Sequence, residues 1–517
     1  MSEAAAATEN PMPRWAKVLD QTTCIGCHAC TTACKAENEV PLGVSRTYVK
    51  SVDVGEHPDA RRAFQVTRCN QCVDSPCTDA CPTGAMHTRP DGIVDFNKDI
   101  CIGCKACIAA CPYDAIFINP EDNSAEKCNF CSHRIDSGLE PACVSVCPTQ
   151  SIMVGDLNDP ESRVAQMVNR NPVSVRKPEK GTKPKMFYKG AHQATLDPLA
   201  ASRPHGPNYA WAQAPQNSGS FNDGTVPSGN PLGGNSSAAA KLSYDQPHKR
   251  PWDWRVSSYT WTKNVGSGIY LMALMLVATG LISPDNPLWR WVAPIGGGFF
   301  VAVTCLLLVA DLAHPFRFWL IFWRPQWNSW LVKGGVILVS YSTLLAAHFV
   351  LSIFGADTAA AWLGIIGAPL AIASSIYTAW LFGQAKARDL WQNPLLAPHL
   401  LTQAMAAGSA IVVPFAIAFA SQAAVDLALW VTASATLLHL AFVASEFASP
   451  SPSEHARVAH YEMTRGRFRH YFAAGVVLSA IGLAAPWLGI WVCLFAFLGP
   501  LAYEHAFVQG GQSVPLA

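Results

Sequence analysis

The chain has 517 residues, with 37 Lys and Arg against 36 Asp and Glu and a formal net charge of +1. A balance so close to neutral gives no electrostatic basis for binding nucleic acid. The average conceals a division: the part before about residue 260 holds most of the charge, cysteine and proline, and the part after it is dominated by Leu, Ala, Val, Ile, Phe and Trp.

In chain order, residues 1–14 contain neither an apolar core nor a twin-arginine pair, so no export signal is expected there. Sixteen of the 18 cysteines then fall between Cys24 and Cys147, in four groups of four. Cys24, Cys27, Cys30 and Cys34 are spaced C-x2-C-x2-C-x3-C, and Cys101, Cys104, Cys107 and Cys111 repeat that spacing. Cys69, Cys72, Cys77 and Cys81 widen the second gap to four residues, and Cys128, Cys131, Cys143 and Cys147 widen it to eleven. Sixteen thiolates are the number that four [4Fe–4S] clusters require. Three cysteines on a tight loop wrap one cube, and the trailing cysteine ligates the neighbouring cluster in two-cluster ferredoxins. Proline follows Cys81, Cys111 and Cys147, as in the bacterial ferredoxin run, whereas Lys35 follows Cys34. The alternatives are a disulfide framework, which needs an oxidising compartment, and structural zinc, which favours paired C-x2-C or Cys/His sets.

Short apolar stretches at 92–96, 115–118 and 151–154 read as strands between the cysteine loops, giving an α+β ferredoxin-like domain over residues 1–157. The first and fourth groups would form one two-cluster module and the second and third the inner one, a pseudo-symmetric pair. Residues 158–258, rich in Pro, Gly, Ser and Asn and most plainly so over 213–240, read as an extended connection. Within it, 183–198 carries Phe187, Tyr188 and Leu196 and is a candidate for packing on the ferredoxin region or a partner. Trp252, Trp254 and Trp261 with Arg250 and Arg255 read as an interfacial anchor.

Residues 259–517 read as an all-α membrane domain of eight spans, roughly 264–283, 290–310, 330–354, 360–383, 400–421, 424–445, 470–488 and 490–508, each able to cross ~30 Å of hydrocarbon. An even number of spans puts both ends on one side. That side collects Lys249, Arg250, Arg255, Lys263, Arg317, Arg324, Lys333, Lys386, Arg388, Arg457, Arg465, Arg467 and Arg469, while the other has Arg290 with Asp285, Asp357 and Asp426. The positive-inside rule makes the basic side cytoplasmic, and the iron–sulfur domain is attached to it.

The cysteine pattern resembles the four-cluster ferredoxin subunits of molybdopterin oxidoreductases, the B subunits of dimethyl sulfoxide reductase, nitrate reductase, formate dehydrogenase and polysulfide reductase. The resemblance implies crosswise ligation. Cys24, Cys27, Cys30 and Cys147 would hold the first cluster, and Cys34, Cys128, Cys131 and Cys143 the second. Cys69, Cys72, Cys77 and Cys111 would hold the third, and Cys81, Cys101, Cys104 and Cys107 the fourth. The first would lie toward a molybdenum subunit and the fourth toward the membrane.

The membrane half resembles the polysulfide reductase membrane subunit, or NrfD-like, family. The residues that carry this are Asp311, Leu312, His314, Pro315, Arg317, Phe318 and Trp319, then Arg324, Pro325, Trp327, Ser329 and Trp330, then Ile376, Tyr377 and Thr378, then Trp391, Asn393 and Pro394. The resemblance implies an anchor without haem that exchanges electrons with quinone. The chain would then be a fused electron-transfer and anchor subunit of a respiratory oxidoreductase in a bacterial inner membrane. Its partners would be a cytoplasmic molybdopterin catalytic subunit, the lipid bilayer and the quinone pool. An energy-coupling, proton-translocating module driven by quinone chemistry is the alternative.

A quinone site needs hydrogen-bonding groups in an apolar pocket near the last cluster. Asn264, Asp311, His314, Tyr377 and Lys386 are candidates, with Asp311 and His314 three residues apart on one helix end. The competing reading of Asp311 and Arg317 is interfacial anchoring. His348, His439 and Glu446 are candidates for a proton path, against packed, hydrogen-bonded histidines; the unequal depths of His348 and His439 do not suit one haem.

Overall fold

The structure, a computed structural model, describes residues 12–203, 224–233 and 239–517. The expectations for 1–11, 204–223 and 234–238, which include most of the low-complexity stretch at 213–240, lie outside the described residues.

Each cysteine run is too short and too punctuated by Gly and Pro for more than a turn or two of helix. Short helices follow at Ala29–Glu37, Pro76–Ala80, Ala106–Ala110 and Ala142–Ser145. The two identically spaced runs adopt one backbone. Gly26 (φ 69°) matches Gly103 (φ 67°), and His28 (φ 60°, ψ 6°) matches Lys105 (φ 63°, ψ 4°). The left-handed glycine lets each loop fold back over its own thiols.

The expected short strands are present. Val94–Phe96 pairs with Met86–Thr88, and Ile116–Ile118 pairs with Ala125–Lys127, both antiparallel. Ile152–Asp156 lies antiparallel to Trp15–Asp20. Residues 158–258, expected as an extended connection, are instead built into this half where described. Met186–Lys189 runs parallel to Trp15–Asp20 as the third strand of a four-stranded sheet. Lys241–Tyr244 joins the edge of the hairpin Thr47–Val54/Arg61–Arg68. Strands of four residues paired with distant segments leave no visible hydrophobic period, so composition alone reads them as linker.

The second half is helical. Among the described residues, six helices are long and apolar enough to cross a membrane: Leu288–Asp311, Trp330–Ile353, Asp357–Gly383, Leu396–Phe419, Gln422–Ala448 and Ile490–Gly511. The two other expected spans are also helical but differ in kind. Trp254–Ala278 is the central helix, packed against Gly297–Asp311, Asp357–Gly383, Leu396–Phe419 and Ile490–Gly511. Because its neighbours enclose it, it tolerates Thr260, Thr262, Lys263, Asn264 and Ser267, all buried. Arg469–Gly482 has only 14 residues before the chain turns into Ala485–Leu488. The closest crossing is made by Gly268 and Gly408, where a methyl on either would overlap the other helix's backbone.

Arg290 and Asp357 pair at 3.2 Å at the end of the bundle remote from the iron–sulfur half. At the near end, Phe316, Trp319, Trp323 and Trp327 are exposed, forming the aromatic belt expected of a membrane interface.

Candidate functional site

The folding of the cysteine loops sorts the thiols into four sets. Cys24, Cys27, Cys30 and Cys147 line one cavity, and Cys81, Cys101, Cys104 and Cys107 line another. Cys34 has Cys128, Cys143 and Cys131 as its electrostatic neighbours, and the Asn38 amide donates to both Cys34 and Cys131 Sγ at 3.7 Å. Cys77 likewise neighbours Cys111, Cys69 and Cys72. In every set, three thiols come from one run and the fourth from another.

The surroundings suit an inorganic cluster. Burial, with the added repulsion of neighbouring thiols, pushes Cys30 up to about 11 and Cys34 up to about 12. Thiols packed this way become thiolates together only around a cation, which cluster iron supplies. Among the described residues, no group of three or more His, Cys, Asp or Glu converges on a single-ion site. Backbone amides of Gln71, Met86 and Ala125 donate to Cys69, Cys81 and Cys101 Sγ at 3.5, 3.3 and 3.4 Å. Such bonds to sulfur help set cluster potentials.

The second set is distinguished by charge. Burial raises Cys143, but Arg68 Nη1 at 3.0 Å and Lys17 Nζ at 3.7 Å outweigh it and bring the thiol down to about 7. Arg68 is 1% exposed, and its Nε and Nη2 have no hydrogen-bond partner. Buried guanidinium donors left open beside four thiols are the complement of an anionic cluster.

The first and fourth sets lie at opposite kinds of surface. Cys27 and Ile25, in the first, are exposed. The fourth is clamped onto the membrane half. Ala313 N donates to Gly103 O at 3.3 Å and His314 N to Ile102 O at 3.2 Å. Arg317 Nη1 donates to Lys98 O and Cys101 O, both at 3.0 Å. Trp252 Nε1 donates to Cys104 O at 3.2 Å, and Ser329 Oγ to Ala80 O at 2.9 Å. Gly103 also lies against Ala313, where a methyl on the glycine would overlap.

Asp311 belongs to this clamp: its carboxylate and its carbonyl accept from Lys105 Nζ at 3.0 and 3.1 Å. The helix ends at Asp311, Leu312 is extended (ψ 136°) and His314 precedes Pro315. Asp311 and His314 therefore do not share a helical face, because a residue before proline is disfavoured in the α region. His314 Nε2 is buried and unpartnered.

Asn264 and Tyr377 are brought together deeper in the bundle, with Lys263 between them. Lys263 Nζ donates to Asn264 Oδ1 at 3.1 Å and to the Ser375 carbonyl, and lies 5.2 Å from the Tyr377 ring centroid. Both residues are buried, and Asn264 Nδ2 is unpartnered. Lys386, the other candidate, lies beyond the Asp357–Gly383 helix.

Lys263 was expected in a cytoplasmic flank. The helix starts earlier, at Trp254, because Asp253 caps it through Arg255 N at 2.8 Å. That puts Lys263 roughly 14 Å into the helix. The Asp253 cap was the available signal. Sequence reasoning also missed Gln403, Glu504 and His399. Glu504 is 1% exposed, and Gln403 and Lys263 are its neighbours. An ionisable group inside span 490–508 was its signal. His399 Nε2 and His439 Nδ1 hydrogen-bond at 2.7 Å, while His348 packs apart, against Trp289 and Tyr270.

Comparison with known proteins follows this division. Residues 61–157 match the 4Fe-4S dicluster domain and 21–37 the 4Fe-4S binding domain, while 243–495 match the polysulphide reductase, NrfD, family. The B subunit of the tetrathionate reductase of Salmonella typhimurium is 42% identical over 194 residues, 37% of this chain and 78% of that protein. Protein NrfC of Escherichia coli is 45% identical over 177 residues, covering 34% and 79% of the two chains. The B subunit of the polysulfide reductase of Wolinella succinogenes is 42% identical over 177 residues, covering 34% and 93%. With cysteine runs and apolar helices on one polypeptide, this protein belongs to the 4Fe-4S iron–sulfur subunit family of reductase complexes, joined here to a multi-pass NrfD membrane domain.

Proposed function

We propose that the chain relays electrons through four [4Fe–4S] clusters between a cytoplasmic molybdopterin subunit and membrane quinone. The eight helices would cross a bacterial inner membrane with the iron–sulfur half on the cytoplasmic side. The enclosed Trp254–Ala278 helix and the short Arg469–Gly482 segment would complete the bundle. The ligand sets are those sorted above, in two pseudo-symmetric modules, and each cluster supplies one-electron transfer.

The observation that carries this reading is the clamp between the fourth thiol set and the membrane half, above the buried group Lys263, Asn264 and Tyr377. Lys105–Asp311 and Arg317 hold the loop in place. Lys263 and Asn264 offer donors to a quinone oxygen, and the surrounding helices shield them from bulk solvent. The first set, with Cys27 exposed, would face the molybdopterin partner.

The test uses anaerobically purified full-length chain in lipid nanodiscs, reduced with dithionite and freed of excess reductant. Added menadione should reoxidise the clusters without any other protein, and a large molybdenum subunit should co-purify from native membranes. Clusters that ferricyanide oxidises but menadione does not would sink the quinone assignment.

One observation favours the energy-coupling alternative as a second reading. Among the described residues, Asn264 Nδ2, Ser267 Oγ and Tyr270 OH are buried without hydrogen-bond partners. Unpaired polar groups inside a bundle are sites for internal water. Quinone turnover in proteoliposomes would then move protons beyond those consumed by the chemistry, and a ratio equal to the chemical one would exclude it.

A further inference from the structure

A cleft of about 1120 Å³ opens on the iron–sulfur side of the bundle, between the segments around Lys177, Asp389 and His455. Glu446 and His460 line it. His455 lines it as well, 9% exposed, with neither ring nitrogen partnered. The electron-relay role does not use these groups, and they are not isolated. His460 Nε2 and Glu446 Oε1 lie 3.0 Å apart, and Tyr503 OH donates to Glu446 Oε2 at 3.1 Å. The Tyr503 ring is 5.2 Å from that of His439 and 5.4 Å from that of His399. His399 bonds His439 at 2.7 Å, and Gln403 Nε2 reaches His399 Nε2 at 3.4 Å. Gln403 then neighbours Glu504, which neighbours Lys263. Side-chain exposure falls inward, from 14% at His460 to 6% at Glu446, and Tyr503 and Glu504 are each 1% exposed.

Every member can donate or accept, and the atoms beside the remaining gaps are buried: among the described residues, His439 Nε2 and Gln403 Oε1 are without hydrogen-bond partners. Buried water occupies such positions when two or more polar groups can hold it. The arrangement is thus a graded polar wire that starts in a wide aqueous cleft and ends beside the buried group around Lys263.

We propose that the protons of the quinone reaction are exchanged with the cleft along His460, Glu446, Tyr503, the His399–His439 pair, Gln403 and Glu504. The inference rests on the quinone reading and adds the proton route to it. The balance is a two-electron, two-proton reduction: the clusters release two electrons, the cleft supplies two protons, and quinone becomes quinol. In the reverse direction the same route carries protons out.

The test compares an acceptor that needs protons with one that does not. Dithionite-reduced full-length chain in nanodiscs is mixed rapidly with menadione or with ferricyanide, which takes electrons alone. Tyr503→Phe removes only the hydroxyl that reaches Glu446, and Glu446→Gln keeps the shape of that group without its ionisation. Each should slow reoxidation by menadione at least tenfold, leave the ferricyanide rate within twofold, and leave iron content unchanged. Glu446→Asp should restore much of the menadione rate. The proposal is overturned if both variants keep the menadione rate, or if both acceptors slow equally, which would mark a structural role. A wild-type chain that menadione fails to oxidise would instead remove the quinone reading beneath it.

Discussion

Removing the Arg68 guanidinium should lower the midpoint potential of the cluster proposed at Cys34, Cys128, Cys131 and Cys143. Arg68 Nη1 lies 3.0 Å from Cys143 Sγ, and the side chain is fully shielded from solvent. The added electron on a cube spreads over its body, so the effective separation is longer than that contact. At about 6 Å and an effective dielectric constant of about 20, a unit positive charge stabilises it by about 2.8 kcal/mol. For a one-electron couple about 1.4 kcal/mol corresponds to 59 mV, which makes the expected drop about 120 mV. Arg68→Met keeps the apolar stem and all cysteines, so iron content should not change. An EPR-monitored redox titration of anaerobically purified protein reads the shift directly. Four midpoints all within about 20 mV of the parent protein would refute the electrostatic argument.

Three further outcomes are expected. Gly103→Ala should undock the fourth-cluster loop, because φ 67° and the abutting Ala313 both oppose a side chain; menadione reoxidation should fall more than tenfold while iron and ferricyanide oxidation hold. Gly408→Ala, at the backbone crossing with Gly268, should cost about 1–3 kcal/mol of bundle stability and lower the unfolding temperature in detergent. Burial pulls His248 down, but the Asp114 carboxylate 2.9 Å away outweighs it and holds the imidazolium above its ordinary 6.5. A raised folded-state value contributes stability that is complete below 6.5 and fades as pH climbs through it. Amide exchange over 241–249 should therefore quicken as pH rises beyond the intrinsic rate change, and His248→Gln should abolish that excess.

The cysteine loops were legible because side-chain identity and spacing fix both chemistry and turn geometry; Gly26 and Gly103 repeat one backbone as their runs repeat one spacing. Pairings between distant segments were not. Met186–Lys189 reaches back to Trp15–Asp20; Phe187 and Tyr188 marked the segment for packing on the ferredoxin region, but nothing local named the strand that pairs with it. The membrane half was legible as apolar length, yet its polar interior was misplaced by one helix start: reading the first span from Asn264 left Lys263 outside, while the Asp253 cap puts it inside. His399 and His439 meet only because two helices pack side by side, which periodicity along either one cannot express. Asp311 and His314 part because the helix ends at Asp311, ahead of Pro315, a local signal outweighed by the attraction of their spacing.

The proposed relay is a complete line of cubes from the exposed Cys27 thiol to the clamped loop at Cys104. Iron and acid-labile sulfide analysis of anaerobically purified protein, with EPR after full reduction, tests it most directly. Sixteen irons and sixteen sulfides per polypeptide are predicted, matching the sixteen cysteines between Cys24 and Cys147. A chain that is fully folded and reconstituted yet holds only about half that iron, the content of two clusters, would contradict it.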